Sequence, residues 1–103
     1  LAWHEVPEAL TLGDDEVRGV HVGEREIALC RSAGAFYALD NVCTHSFAAL
    51  SDGYVEDGCI ECPLHQGRFS LATGAPVSPP VTEPVRVYAV RTEAGKIYVE
   101  LPD

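Results

Sequence analysis

Cys43-Thr44-His45 and Cys62-Pro63-Leu64-His65 are the two stretches around which the rest of this chain is arranged. Each supplies one thiol and one imidazole, and residues 46–61 separate them. A lone Cys-x-His, or a lone Cys-x-x-His, carries little information. Two such boxes in a chain of 103 residues point to one shared metal centre. Thiolate and imidazole are soft to borderline donors, suited to iron, zinc or copper and not to calcium or magnesium. Two Cys and two His satisfy a tetrahedral zinc ion. They also satisfy a [2Fe–2S] cluster in which two imidazoles replace two thiolates on one iron.

The order of the donors bears on that choice. Zinc-finger spacings usually pair Cys with Cys and then His with His. Here each box mixes the two, which suits a binuclear centre lying between two loops, thiolates on one iron and imidazoles on the other. Cys43 and His45 are two residues apart, so in an extended loop both side chains leave on one side. Pro63 stiffens the second loop and removes a backbone donor, and Gly67 is expected to permit a tight return. Peptide N–H groups of the loops are the expected donors to the sulfurs.

Composition sets the outer bounds. Hydrophobic residues make up 47% of the chain, too many for disorder, and the length fits one domain with a modest core. Acidic residues outnumber basic ones 16 to 7, for a formal charge of −9. With no basic stripe to neutralise phosphates, this argues against nucleic-acid binding and against an anionic membrane surface. No run is long enough to span a bilayer, and no basic-then-apolar signal peptide opens the chain. With two of the 4 Cys assigned to metal, a secreted disulfide framework is not expected, and a reducing cytoplasm is the expected compartment.

The flanking sequence reads as short strands. Ala2–Val6 is an opening strand, stopped by Pro7, with a turn over Pro7–Leu10. Val17–Val22 and Arg25–Cys30 form a hairpin across Gly23-Glu24. In its second strand Ile27 and Leu29 share one face, Glu26 and Ala28 the other. A turn at Ser32-Ala33-Gly34 leads to a strand over Ala35–Leu39. Phe47–Leu50 has room for a helical turn. Cys59–Glu61 enters the second box as a strand and Arg68–Ser70 leaves it. Ala75–Pro84 holds four prolines, which disfavour helix and central strand. Two long strands, Val85–Thr92 and Lys96–Leu101, close the chain around Glu93-Ala94-Gly95. Short strands with turn signals at intervals of about eight to twelve residues indicate an antiparallel sandwich or barrel.

The boxes, written C-T-H and C-P-L-H-Q-G-R-F, resemble the two signature boxes of the Rieske iron–sulfur family. The resemblance covers nearly the whole chain in layout and is specific at the boxes and, less so, at the proline segment. It implies one Rieske-type [2Fe–2S] cluster held by Cys43, His45, Cys62 and His65. It also implies a single all-β domain over residues 1–103, an antiparallel β-sandwich or barrel with a small cluster-binding subdomain inserted at about residues 40 to 80. High-potential members look like C-T-H-L-G-C and C-P-C-H-G-S-x-Y, with a disulfide across the loops. Here Leu64 and Ala48 stand where that extra Cys pair would, and Gly67 and Phe69 where hydroxyl donors would. The expected potential is therefore near the low end of the family range, roughly −150 mV.

The segment E-C-P-L-H-Q-G-R-F, residues 61–69, further resembles ferredoxin components of bacterial aromatic-ring-hydroxylating dioxygenases. That resemblance implies a one-electron carrier and not an enzyme. Its partners would be a flavin- and NAD(P)H-dependent reductase and a terminal oxygenase with its own Rieske cluster and a mononuclear iron. The two His would form the exposed edge, rimmed by Ser46, Phe47, Leu64, Gln66 and Pro79-Pro80. Phe47, Leu64 and Pro80 are the expected partner contacts; shielding of the cluster is the competing role for Phe47 and Leu64. A monomer is expected. Competing readings are a structural zinc module and the Rieske domain of an oxygenase catalytic subunit. The closing strands and the polar end at Pro102-Asp103 favour a complete domain over the latter.

Several residues attract attention without fitting this chemistry. Cys59-Ile60-Glu61-Cys62 has the form of a redox C-x-x-C, but it lies on a short strand ending at Pro63. Cys59 and Cys30 read as small core residues, His4 and His21 as structural or surface residues, and Trp3 as packing. Asp14-Asp15-Glu16 reads as a solvated turn. No nucleophile triad, phosphate loop or catalytic carboxylate pair is present in the sequence.

Overall fold

In the computed structural model, which describes residues 1–102, the chain runs through strands β1 (Ala2–Glu5), β2 (Glu16–Val22), β3 (Arg25–Ser32), β4 (Ala35–Asp40), β5 (Tyr54–Glu56), β6 (Cys59–Glu61), β7 (Arg68–Ser70), β8 (Pro76–Ser78), β9 (Val87–Tyr88), β10 (Val90–Glu93) and β11 (Lys96–Leu101). Every pairing is antiparallel. The strands form three sheets, ordered β1-β11-β10, β2-β3-β4-β9 and β5-β6-β7-β8. Three hairpins close on an X-Gly pair with both residues at positive φ: Ala33-Gly34 (49° and 80°), Asp57-Gly58 (53° and 73°) and Ala94-Gly95 (51° and 76°). This is the backbone of a two-residue type I′ loop, and glycine carries the second position without a Cβ penalty.

Strand β3 lies between two cores. Ile27 and Leu29 pack with Val6, Leu12, Val20, Ala38 and Val99 on the side of the terminal sheet. Ala28 and Cys30 point the other way, into a second core with Leu39, Leu50, Ile60, Phe69 and Val85. The face that carries Ala28 is thus covered by the β5–β8 sheet. Strands β4 and β9 pair directly, Ala38 with Tyr88 and Leu39 with Val87, so residues 41–86 leave and re-enter between two neighbouring strands.

Asn41 fixes the point of departure. It is 1% exposed. Its Nδ2 donates to Glu26 Oε1 at 3.0 Å, and its Oδ1 accepts the Ser51 N–H at 2.8 Å. Its backbone N–H donates to the Glu26 carbonyl at 3.1 Å and its carbonyl accepts from Leu50 N–H at 2.7 Å. Gly19 of β2 leaves room for this joint, since a Cβ there would lie 2.8 Å from Ser51 Oγ.

Several expectations need correction. Val85–Thr92 is not one strand. It divides at Ala89 into β9, which pairs with β4, and β10, which pairs with β11. A strand that crosses between sheets keeps its alternation, so the break leaves no trace in the pattern. The Pro7–Leu10 turn is a 3-10 helix over Pro7–Thr11, started by a proline whose missing N–H costs nothing there. The helical turn expected at Phe47–Leu50 lies later, at Leu50–Asp52. Within the proline segment, Pro76–Ser78 pairs with β7 as the edge strand β8, where proline is tolerated.

Candidate metal centre

The two boxes fold into similar loops. Cys43 N–H donates to the Ala48 carbonyl at 2.8 Å, and Cys62 N–H donates to the Gly67 carbonyl at 2.8 Å. Each cysteine therefore opens a loop closed five residues later, and each histidine lies near its tip. The first loop turns through Phe47 at φ 59°, the second through His65 at 66° and Gln66 at 61°. Such angles are costly for non-glycine residues and mark a backbone held by its surroundings. Gly67, expected to make the return, has another role: a Cβ there would lie 2.5 Å from Val81 Cγ1. The proline segment packs against the second loop through Val81, and it holds the first through Thr44 Oγ1, which donates to the Glu83 carbonyl at 2.8 Å.

The four candidate residues lie as two unlike pairs. Cys43 and Cys62 are buried, at 0% and 1% exposure, in one core cluster, and each thiol bears on the ionisation of the other. His45 and His65 are exposed, with ring centroids 5.4 Å apart and planes at 78°. Among the described residues, no three His, Cys, Asp or Glu side chains converge as one metal ion would require. A thiol pair inside and an imidazole pair outside is the division a two-iron centre needs, whereas one zinc ion needs four donors around one point.

The sulfurs already meet donors. Burial raises the Cys43 thiol, but the peptide N–H groups of His45 and Ser46, the Cys62 side chain and the Ser46 hydroxyl hold it below the usual thiol range. Burial pushes the Cys62 thiol up, and the neighbouring Cys43 adds to this against the Ser46 hydroxyl and the Leu64 N–H. A pair of iron-bound thiolates gains from the same N–H donors. Ser46 Oγ lies 3.5 Å from Cys62 Sγ. From sequence Ser46 belongs only to the rim; its hydroxyl directly after His45 is the signal for a place nearer the sulfurs.

Strand β6 delivers Cys62, and its last residue is clamped. Glu61 accepts hydrogen bonds from the Tyr54 hydroxyl and from Arg68 Nε, the latter at 2.9 Å. These two partners, Tyr54 foremost, hold the Glu61 carboxyl below its usual range. Arg68 also faces Glu56 at 3.7 Å. Gly53 approaches so closely that a Cβ would lie 1.8 Å from the Glu61 carbonyl.

The remaining candidates lie apart. Cys30 is fully buried, and burial pushes its thiol up to about 12. Cys59, expected in the core, is only half-buried, because it ends the tight Asp57-Gly58 hairpin. His21 is exposed. His4 lines a shallow groove with Arg25 and Pro102. Trp3 packs under the Arg91 guanidinium, 4.6 Å above its ring. Asp14 is not merely solvated: it accepts the Gly34 N–H at 2.9 Å and faces Arg31 at 3.4 Å.

Known proteins resemble this chain in sequence and in fold. The family model of the Rieske [2Fe-2S] domain matches residues 2–89. The chain is 43% identical over 99 residues to the anthranilate 1,2-dioxygenase ferredoxin subunit of Burkholderia cepacia, covering 96% of this chain and 92% of that one. It is 45% identical over 101 residues to the ferredoxin component of the naphthalene 1,2-dioxygenase system of Pseudomonas putida, covering 98% and 97%. In the solved complex of reduced oxygenase and oxidized ferredoxin of carbazole 1,9a-dioxygenase, one chain matches with a TM-score of 0.86 at 39% identity, covering 94% and 91%. The all-β fold, the paired boxes and these relatives agree: the chain belongs to the Rieske [2Fe–2S] domain family, with one Rieske-type cluster as its cofactor.

Proposed function

We propose that this chain is the ferredoxin component of an aromatic-ring-hydroxylating system, carrying single electrons from a flavin-containing, NAD(P)H-dependent reductase to a terminal Rieske non-haem iron oxygenase. It is an electron-transfer component and not the catalyst. Its relatives are named as ferredoxin components and match over nearly their full lengths. When bound, the cluster supplies the one-electron couple. Cys43 and Cys62 hold it from the buried side and His45 and His65 from the exposed side. The carrying observation is this division, with buried thiols and exposed imidazoles on two loops, since a carrier needs one edge of its centre at the surface. Residues of about 40 to 80 then form the cluster-binding subdomain on the terminal-strand base.

The partner face is the uncharged tip around the imidazoles. Phe47 is 85% exposed and Leu64 50%. Side chains that only sheltered a buried centre would not stand so far into solvent, so contact with partners is the favoured role. Small apolar patches with a charged surround suit brief redox encounters. The acidic composition and the free thiols fit a monomer working in the cytoplasm. No helix is long and apolar enough to cross a membrane. The test is NADH-driven reduction of cytochrome c by a flavin ferredoxin reductase, with and without the chain. A rate that rises in proportion to added chain, and not with Cys43→Ser, supports the reading. A rate independent of the chain contradicts it.

A further inference from the structure

We propose that Ser46 raises the reduction potential of the centre, its hydroxyl donating to the sulfur of Cys62 from the opposite loop. This rests on the ligand assignment given above. Ser46 is half-buried on the thiol side of the first loop, with Oγ 3.5 Å from Cys62 Sγ.

The direction of the bond follows from the chemistry. Between a thiol and a hydroxyl either atom can donate. A cysteine that has lost its proton to bind iron is an acceptor only, so the Ser46 O–H must be the donor. When the centre gains one electron, negative charge on the sulfurs grows. A donor aimed at a sulfur therefore stabilises the reduced form more than the oxidised form and moves the potential upward. No proton is transferred: the electron enters from the reductase or an electrode and leaves to the acceptor.

Ser46 is the side chain placed for this task. Gly67 and Phe69 of the second box carry no hydroxyl. Thr44, the other hydroxyl beside the ligands, is engaged with the Glu83 carbonyl at 2.8 Å. Of the hydroxyls beside the candidate ligands, that of Ser46 is the one at hydrogen-bonding distance from a thiol. Ser46 is thus a positioning residue acting on the ligand sulfurs.

The experiment is protein-film voltammetry on holoprotein, for wild type, Ser46→Ala, Ser46→Gly and Ser46→Thr, with EPR of each reduced sample. Ala and Gly should shift the potential negative by about threefold to tenfold in the one-electron equilibrium constant, about 28 to 59 mV. Thr, which restores the hydroxyl, should stay with the wild type. Glycine tolerates any loop backbone, which guards against misfolding of the alanine variant. Ala and Gly variants at the wild-type potential, with the rhombic EPR signal intact, would overturn the role of Ser46 alone. So would a Thr variant that shifts with Ala. A wild type without the rhombic signal would overturn the ligand assignment and this proposal with it.

Discussion

A methyl group added at position 67 would stand 2.5 Å from Cγ1 of Val81 and 3.2 Å from Cγ2. Val81 is buried and belongs to the segment that backs the second loop, so it has little room to move. Gly67→Ala should destabilise the holoprotein by about 1–3 kcal/mol, read as a lower melting temperature, with partial recovery on adding Val81→Ala. An unchanged melting temperature would show that the loop is slack. Cys30 offers a test through pH. Its folded-state value is about 12, above the unfolded value near 8.5. The stabilisation is complete below the unfolded value and is lost as pH rises toward the folded one, because only the unfolded chain ionises there. Relative to Cys30→Ala, the wild type should therefore lose about 2 kcal/mol between pH 8 and pH 10. Parallel melting curves of the two proteins across that interval would contradict it.

The joint at Asn41 shows what an element needs in order to be placed. The side chain bridges β3 and the Leu50–Asp52 helix through Glu26 and Ser51. Asn41→Leu removes both bonds and puts an apolar side chain against the Ser51 N–H and the Glu26 carboxylate in their place. The expected cost is about 2–4 kcal/mol, measured by denaturant unfolding, with faster cluster loss at 25 °C in the same variant. Cluster retention equal to wild type would mean the loops are held from elsewhere. Elements were legible where local chemistry dictates them. Ala33-Gly34 and Ala94-Gly95 are turns on residue type alone, and alternation in Lys96–Leu101 matches the buried Ile97, Val99 and Leu101. Illegible elements depend on distant partners. Nothing local in Val85–Thr92 says that Tyr88 belongs to one sheet and Val90 to the next, and nothing in Tyr54–Glu56 announces a strand before Cys59–Glu61 is beside it.

At the scale of the molecule, two base sheets and one inserted sheet present a tip that is free of charge between Val42 and Leu50. The two boxes were legible because ligation needs particular atoms at particular spacings, and the fold sets Cys43 with Cys62 in the core and His45 beside His65 at the surface. The hydrogen bonds around them were not, since the reach of Ser46 to Cys62 depends on how two loops separated by β5 and β6 fold together. If the tip is the partner face, replacing Phe47 and Leu64 by Ser and Pro80 by Ala should lower kcat/KM for electron transfer to the oxygenase by about tenfold, or ~1.4 kcal/mol. The potential and the melting temperature should stay as in wild type. Undiminished transfer to both partners would move the docking site elsewhere.

The proposed function requires that two thiolates and two imidazoles hold one [2Fe–2S] cluster, and the EPR spectrum of the purified, dithionite-reduced protein decides whether they do. The predicted result is a rhombic signal with a low average g, produced by mixed Cys and His ligation and lost in His65→Ala. A colourless, EPR-silent protein that analyses for one zinc ion per chain would contradict it and leave the four residues with a structural role.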